Sequence, residues 1–149
     1  MKMKNKKLLI ISLITILIDI LSKILVVNNL LENQSISIIK KILNITYAKN
    51  TGVAFSFLDG NKIFIIIATI IILIILIKHI KNTYIDKIEQ IGYGLIIGGA
   101  IGNLIDRIIY GHVIDFIDFR IINYPIFNLA DTAIVIGVFI ILFKSFHRK

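Results

Sequence analysis

The apolar positions of this chain fall mostly in long unbroken runs. The first, Leu8 to Val27, reads "LLIISLITILIDILSKILVV". As a helix, twenty residues cover roughly 30 Å, the thickness of a bilayer's hydrocarbon core. A second run spans 63–77, "IFIIIATIIILIILI"; it is short, but Lys62 and Lys78 can snorkel at its ends. A third runs from about Ile88 to Ile109 and a fourth from about Leu129 to Phe143. Their uninterrupted length predicts helices rather than buried strands. Within the third, Gly94, Gly98 and Gly102 recur every four residues, the spacing that lets helix backbones approach closely. The same step reaches Asp106, so the glycines and that acid share one inward face.

Between the first two runs the pattern changes. "SISII" and "ILNITYA" alternate and are rich in β-branched residues, which predicts short strands. "KNTG" predicts a turn leading to a further extended stretch, "VAFSF". The expected fold is an α-helical integral membrane protein of one domain over residues 1–149. It has four transmembrane helices and a small extracytoplasmic β-sheet between helices 1 and 2.

Composition agrees with that pattern. The chain has 149 residues and is 57% hydrophobic, more than a soluble domain this small could bury. The net charge of +8 does not indicate nucleic acid, because the basic residues cluster at the ends of apolar runs. Ten lie in the N-terminal tail, the second-to-third loop and the C-terminal tail, against six on the opposite side. The positive-inside bias then predicts cytoplasmic termini. It places Asp19, Asp106, Asp115 and Asp131 near the outer face. "MKMKNKK" resembles the start of a secretory signal, but no small-residue cleavage site follows, so the first helix is expected to be retained. There are no cysteines, hence no disulfides and no thiolate nucleophile. The three histidines are scattered, with no metal-ligand spacing.

The few polar residues therefore carry the chemistry. The chain has seven aspartates and two glutamates, and "GNLIDRIIYGHVIDFIDF" alone holds Asp106, Asp115 and Asp118. Asp19 and Lys23, at i and i+4, suit an ion pair; unpaired, either would be expensive inside a membrane. Asp106 and Arg107 point about 100° apart on a helix and need not pair. If "HVIDFIDF" is extended, Asp115 and Asp118 face opposite ways, and apolar surroundings would raise the pKa of Asp115. Asn128 with Asp131 resembles a capping box at the start of the fourth helix. Asn50 reads as a turn residue and His112 as a loop residue.

Two carboxylates held close in an apolar setting cannot both ionise easily. One can activate water while the other donates a proton, which is the aspartic-protease scheme. The residues alone leave open which two aspartates form such a pair. A proton-coupled transporter and a non-catalytic assembly factor are alternative readings. The lack of an inverted repeat and the gathering of polar residues on one side disfavour transport.

"DILSK" (19–23), "NTGVAFS" (50–56), "GGAIGNLIDR" (98–107), "HVIDFIDF" (112–119) and "FNLAD" (127–131) resemble the lipoprotein signal peptidase, or signal peptidase II, family. The resemblance covers nearly the whole chain. It implies an aspartic endopeptidase of the bacterial cytoplasmic membrane that cleaves prolipoproteins before a diacylglyceryl-modified cysteine. It implies Asp115 and Asp131 as the catalytic dyad. Asp19, Lys23, Asn50, Gly99, Asn103, Asp106, Arg107, Asn128 and Ala130 would line or support the site. It implies no metal and no organic cofactor. The expected partners are prolipoproteins and membrane lipids, not nucleic acid, and the expected state is a monomer.

Overall fold

The structure, a computed structural model, describes residues 5–52, 61–122 and 124–147. Four helices dominate it: α1 (Lys6–Asn29), α2 (Lys62–Asn82), α3 (Lys87–Ile109) and α4 (Leu129–Phe146). At 18 to 24 residues each, they reach roughly 27–36 Å. All four are long and apolar enough to cross a membrane. The expected runs are recovered, with α2 extending past residue 77 to Asn82.

Burial is arranged as a bilayer requires. On α1 the buried stripe is Leu8, Ser12, Thr15, Asp19, Lys23 and Val26. Its polar side chains point inward, while leucines and isoleucines such as Leu13 and Leu17 are exposed. In water this would be an inverted helix; in lipid it is the favourable arrangement. α3 has the lowest mean hydropathy of the four, 1.3, and is the most buried. It lies at the centre, packed against α1 on one side and α4 on the other. α2 has the highest mean hydropathy, 3.0, and touches α3 lightly.

Adjacent glycines on α3 explain how both neighbours approach. A Cβ on Gly98 would sit 2.6 Å from Thr15 Cβ on α1, whereas one on Gly99 would strike the Ala130 carbonyl on α4. One step along a helix turns about 100°, so neighbouring glycines serve different interfaces. The Gly94–Gly98–Gly102 face meets α1, as its spacing predicts.

Three antiparallel strands, β1 (Ser35–Ile39), β2 (Leu43–Asn50) and β3 (Val113–Phe119), form a sheet in that order. The first two come from the α1–α2 connection, as expected. The third comes from the α3–α4 connection, so the sheet ties both together at one end of the bundle. Gly111, with φ +82°, allows the left-handed turn from α3 into β3. Asp115 pairs with Ala48 and Asp118 with Asn44, with a register shift between Ile45 and Ala48. Phe127 bridges to Ile117 and brings the chain to α4. Val26, Leu30, Tyr47, Ile114 and Phe116 form the core between α1 and the sheet. The extended stretch expected at 53–57 lies outside the described residues.

Candidate active site

Most buried polar groups gather at the sheet end of the bundle, whereas Ser12 and Glu89 lie toward the other end. Lys23 is 2% exposed. Its ammonium lies 2.7 Å from Asp19 Oδ2, 2.8 Å from Asp106 Oδ2 and 3.1 Å from Asn103 Oδ1. Lysine has three protons to donate, and all three are used. The expected i,i+4 pair is present, and α3 adds a second carboxylate to it. That saturation is what makes a cation tolerable at this depth.

Each acid around Lys23 also fixes another element. Asp19 Oδ1 accepts from the Ala130 amide at 3.0 Å, one of the unpaired donors at the start of α4. Asp106 Oδ2 accepts from Ile114 N at 3.1 Å and sets the start of β3. Arg107 points elsewhere, as adjacent helical residues must. It donates to the Gly52 carbonyl at 2.9 Å and, more weakly, to the Asn103 carbonyl at 3.4 Å. Its Nε is buried without a hydrogen-bond partner among the described residues.

Asp115 is on β3 and Asp131 in the first turn of α4; Asn128 joins them. Asp115 accepts from Asn128 Nδ2 at 2.7 Å through Oδ1 and from Asn50 Nδ2 at 2.8 Å through Oδ2. Asp131 accepts from Asn103 Nδ2 at 2.7 Å through Oδ1, and its Oδ2 closes the capping box on Asn128 N at 3.3 Å. Asn128 Oδ1 accepts in turn from Asp131 N at 2.8 Å. Asn128 is fully buried. It is therefore the helix cap its sequence position suggests and also the link between two carboxylates. Asn50 likewise does both things. Its Oδ1 accepts from Gly52 N at 3.0 Å, the local bond of a turn residue, while its amide reaches Asp115.

Both aspartates line a cavity of about 820 Å³. Its polar side also carries Asn50, Asn103 and Arg107, and its apolar side carries Ile72, Ile96, Ile134 and Val135 from three different helices. The cavity therefore has a polar wall that carries the acids and an apolar wall of helix side chains. Burial, and next the neighbouring Asp131 charge, push the Asp115 carboxyl up to about 7. The amides of Asn50 and Asn128 oppose that rise without cancelling it. This is the desolvation expected for an acid in apolar surroundings.

Asp118 stands apart. Its Oδ2 accepts from Thr46 Oγ1 at 2.8 Å and Arg120 Nε at 3.0 Å on the other face of the sheet. His112 is in the loop before β3. Tyr124, Pro125 and Ile126 also line the cavity but do not stand out in the sequence. The chain's one proline, Pro125, falls in this segment.

The model of the family described as signal peptidase (SPase) II matches residues 11–147. The lipoprotein signal peptidase of Halothermothrix orenii is 42% identical over 140 residues, covering 94% of this chain and 95% of its own. That of Haemophilus ducreyi is 45% identical over 155 aligned residues, covering 99% and 96%. The chain belongs to the signal peptidase II family. Two solved structures, each described as a bacterial membrane enzyme, superpose with TM-scores of 0.88 and 0.85 at 36% identity. They cover 94% and 95% of this chain, and 87% and 94% of their own. As a signal peptidase II, the chain is a bacterial multi-pass membrane protease. Among the described residues, the buried acids Asp115 and Asp131 line the cavity between its helices.

Proposed function

We propose that this chain is an aspartic endopeptidase that removes signal peptides from prolipoproteins, cleaving before the diacylglyceryl-modified cysteine. One observation carries the mechanism. Asp115 and Asp131 are held by the same buried asparagine at the wall of one cavity. Asp131 is the ionised partner, since it sits at the positive end of α4 and accepts a backbone amide there. Asp115 holds the proton, consistent with a pKa near 7. The two titrate as a pair, so their apparent values belong to both.

Water between the carboxylates gives a proton to Asp131 as its oxygen bonds to the scissile carbonyl carbon. Asp115 donates its proton to the carbonyl oxygen, giving a neutral tetrahedral intermediate. The C–N bond then breaks; Asp131 passes its proton to the leaving amine, and a hydroxyl of the intermediate returns one to Asp115. Both residues end as they began. Lys23, Asp19, Asp106, Asn50, Asn103 and Asn128 position the pair. Gly99 and Ala130 allow α3 and α4 to approach beside it. Arg107 holds the segment just after β2 against the cavity through the Gly52 carbonyl.

The distribution of lysine and arginine supports cytoplasmic termini and a site near the outer face. A substrate whose lipid stays in the bilayer can enter sideways between helices, presenting its scissile bond near the interface. A monomer would suffice for this chemistry, since one chain supplies all the proposed site residues. The test is cleavage of a diacylglyceryl-modified prolipoprotein by purified protein in detergent, with Asp115→Asn and Asp131→Asn compared. Both variants are expected to lose cleavage before the modified cysteine. Activity surviving in either would mean that the pair is wrongly chosen.

A further inference from the structure

The three-stranded sheet has two chemically distinct faces. Ser35, Asn44, Thr46 and Asp118 share one, where Ser35 Oγ lies 3.0 Å from the Asn44 side-chain amide and 2.9 Å from Thr46 Oγ1. Cross-strand pairing puts Ile36 beside Ile45, and Ile45 beside Ile117, on the opposite face. Ile45 and Ile117 pack against the cluster that includes Val26 and Leu30, near the end of α1. The apolar face thus looks toward the helix ends, at the level where the bilayer begins.

That face runs out beyond its helical support. Ile36 is 49% exposed and Ile38 is 58% exposed. Around the β1–β2 turn, Ile39 and Ile42 are exposed, as are Ile121 and Ile122 just after β3. The Arg120 amide donates to the Ile42 carbonyl at 3.0 Å and joins these two segments. The turn itself is Lys40–Lys41, both exposed. Neither pairs with an acid among the described residues, whereas Lys49 at the far end of β2 pairs with Glu32 at 2.6 Å. Exposed isoleucines beside unpaired lysines make an element suited to the water–lipid boundary, with apolar groups below and cations at phosphate level.

We propose that the tip of the β1–β2 hairpin docks on the host bilayer at its own end of the bundle, with Lys40 and Lys41 holding the phosphates of anionic phospholipids. The sheet would thereby be supported from below on its unpacked side. A second copy of this chain fits less well, because it would bring the same two lysines against each other. The proposal rests on the membrane placement of the helices and is independent of the peptidase reading.

The chain has no tryptophan, so Ile38→Trp supplies a single fluorophore, and Ile36→Trp a second should the first fold poorly. Each is reconstituted in vesicles of phosphatidylcholine and phosphatidylglycerol, one lipid at a time carrying bromine high on its acyl chains. The expected result is blue-shifted emission, quenched by bromolipid and shielded from aqueous iodide. Brominated phosphatidylglycerol should quench more than its share, with local enrichment of about fivefold per lysine. That excess should vanish in Lys40→Gln/Lys41→Gln. Emission quenched by iodide alone would overturn the proposal. Equal quenching by the two lipids would overturn the role of the lysines. Burial that depends on protein concentration without lipid quenching would indicate a second copy and also overturn it.

Discussion

Asp115 should make the protein less stable than it could be, and by a calculable amount. Its carboxyl is moved from an ordinary 3.8 to about 7. The folded state therefore holds this proton more tightly than the unfolded chain does. Stability falls as pH rises from 3.8 toward 7 and levels off above it. At about 1.4 kcal/mol per pH unit, the full loss is about 4 kcal/mol, of which about 3 kcal/mol develops between pH 5 and 8. Asp115→Asn removes this linkage. It also turns one amide toward Asn50 or Asn128, both of which donate to Asp115 now, at a cost of about 1–3 kcal/mol. That cost does not vary with pH. The difference in melting temperature, variant minus parent, should thus rise by about 5–10 °C from pH 5 to pH 8. Thermal unfolding in detergent, followed by circular dichroism, measures it. An inactive variant that grows steadily more stable relative to its parent is the expected outcome. A difference that stays constant across this range would refute the claim that burial holds a proton on Asp115.

Three further outcomes follow from the same geometry. Cleavage should decline above about pH 7 as the last proton leaves the pair, which a pH–rate profile would show; a rate still rising at pH 9 would contradict it. Lys23→Met strands Asp19 and Asp106 in the interior and should cost about 3–5 kcal/mol, and adding Asp106→Asn should recover part of that in thermal unfolding. Gly99→Ala drives a methyl into the Ala130 carbonyl, so it should cost about 1–3 kcal/mol and reduce cleavage, whereas an unaffected variant would show that α3 and α4 can separate freely.

The sequence by itself determined the helices, because an apolar run long enough to span lipid is a local property that needs no partner. It also determined relations fixed by local periodicity. Asp19 and Lys23 share a face at i,i+4, Gly94, Gly98 and Gly102 share another, and Asp115 and Asp118 part company on an extended strand. Asn128 was legible as a cap for the same reason. Family resemblance, not periodicity, selected Asp115 and Asp131 from among the acids. Only the tertiary structure decided what crosses between elements. It gave Lys23 its second carboxylate, turned Gly99 to α4 while Gly98 met α1, and carried β3 from a different connection into the sheet. It also made Asn128 the bridge between the two aspartates. These contacts depend on how α1, α3, α4 and the sheet pack together. No spacing along the chain encodes them, since residues far apart in sequence meet only when their helices do.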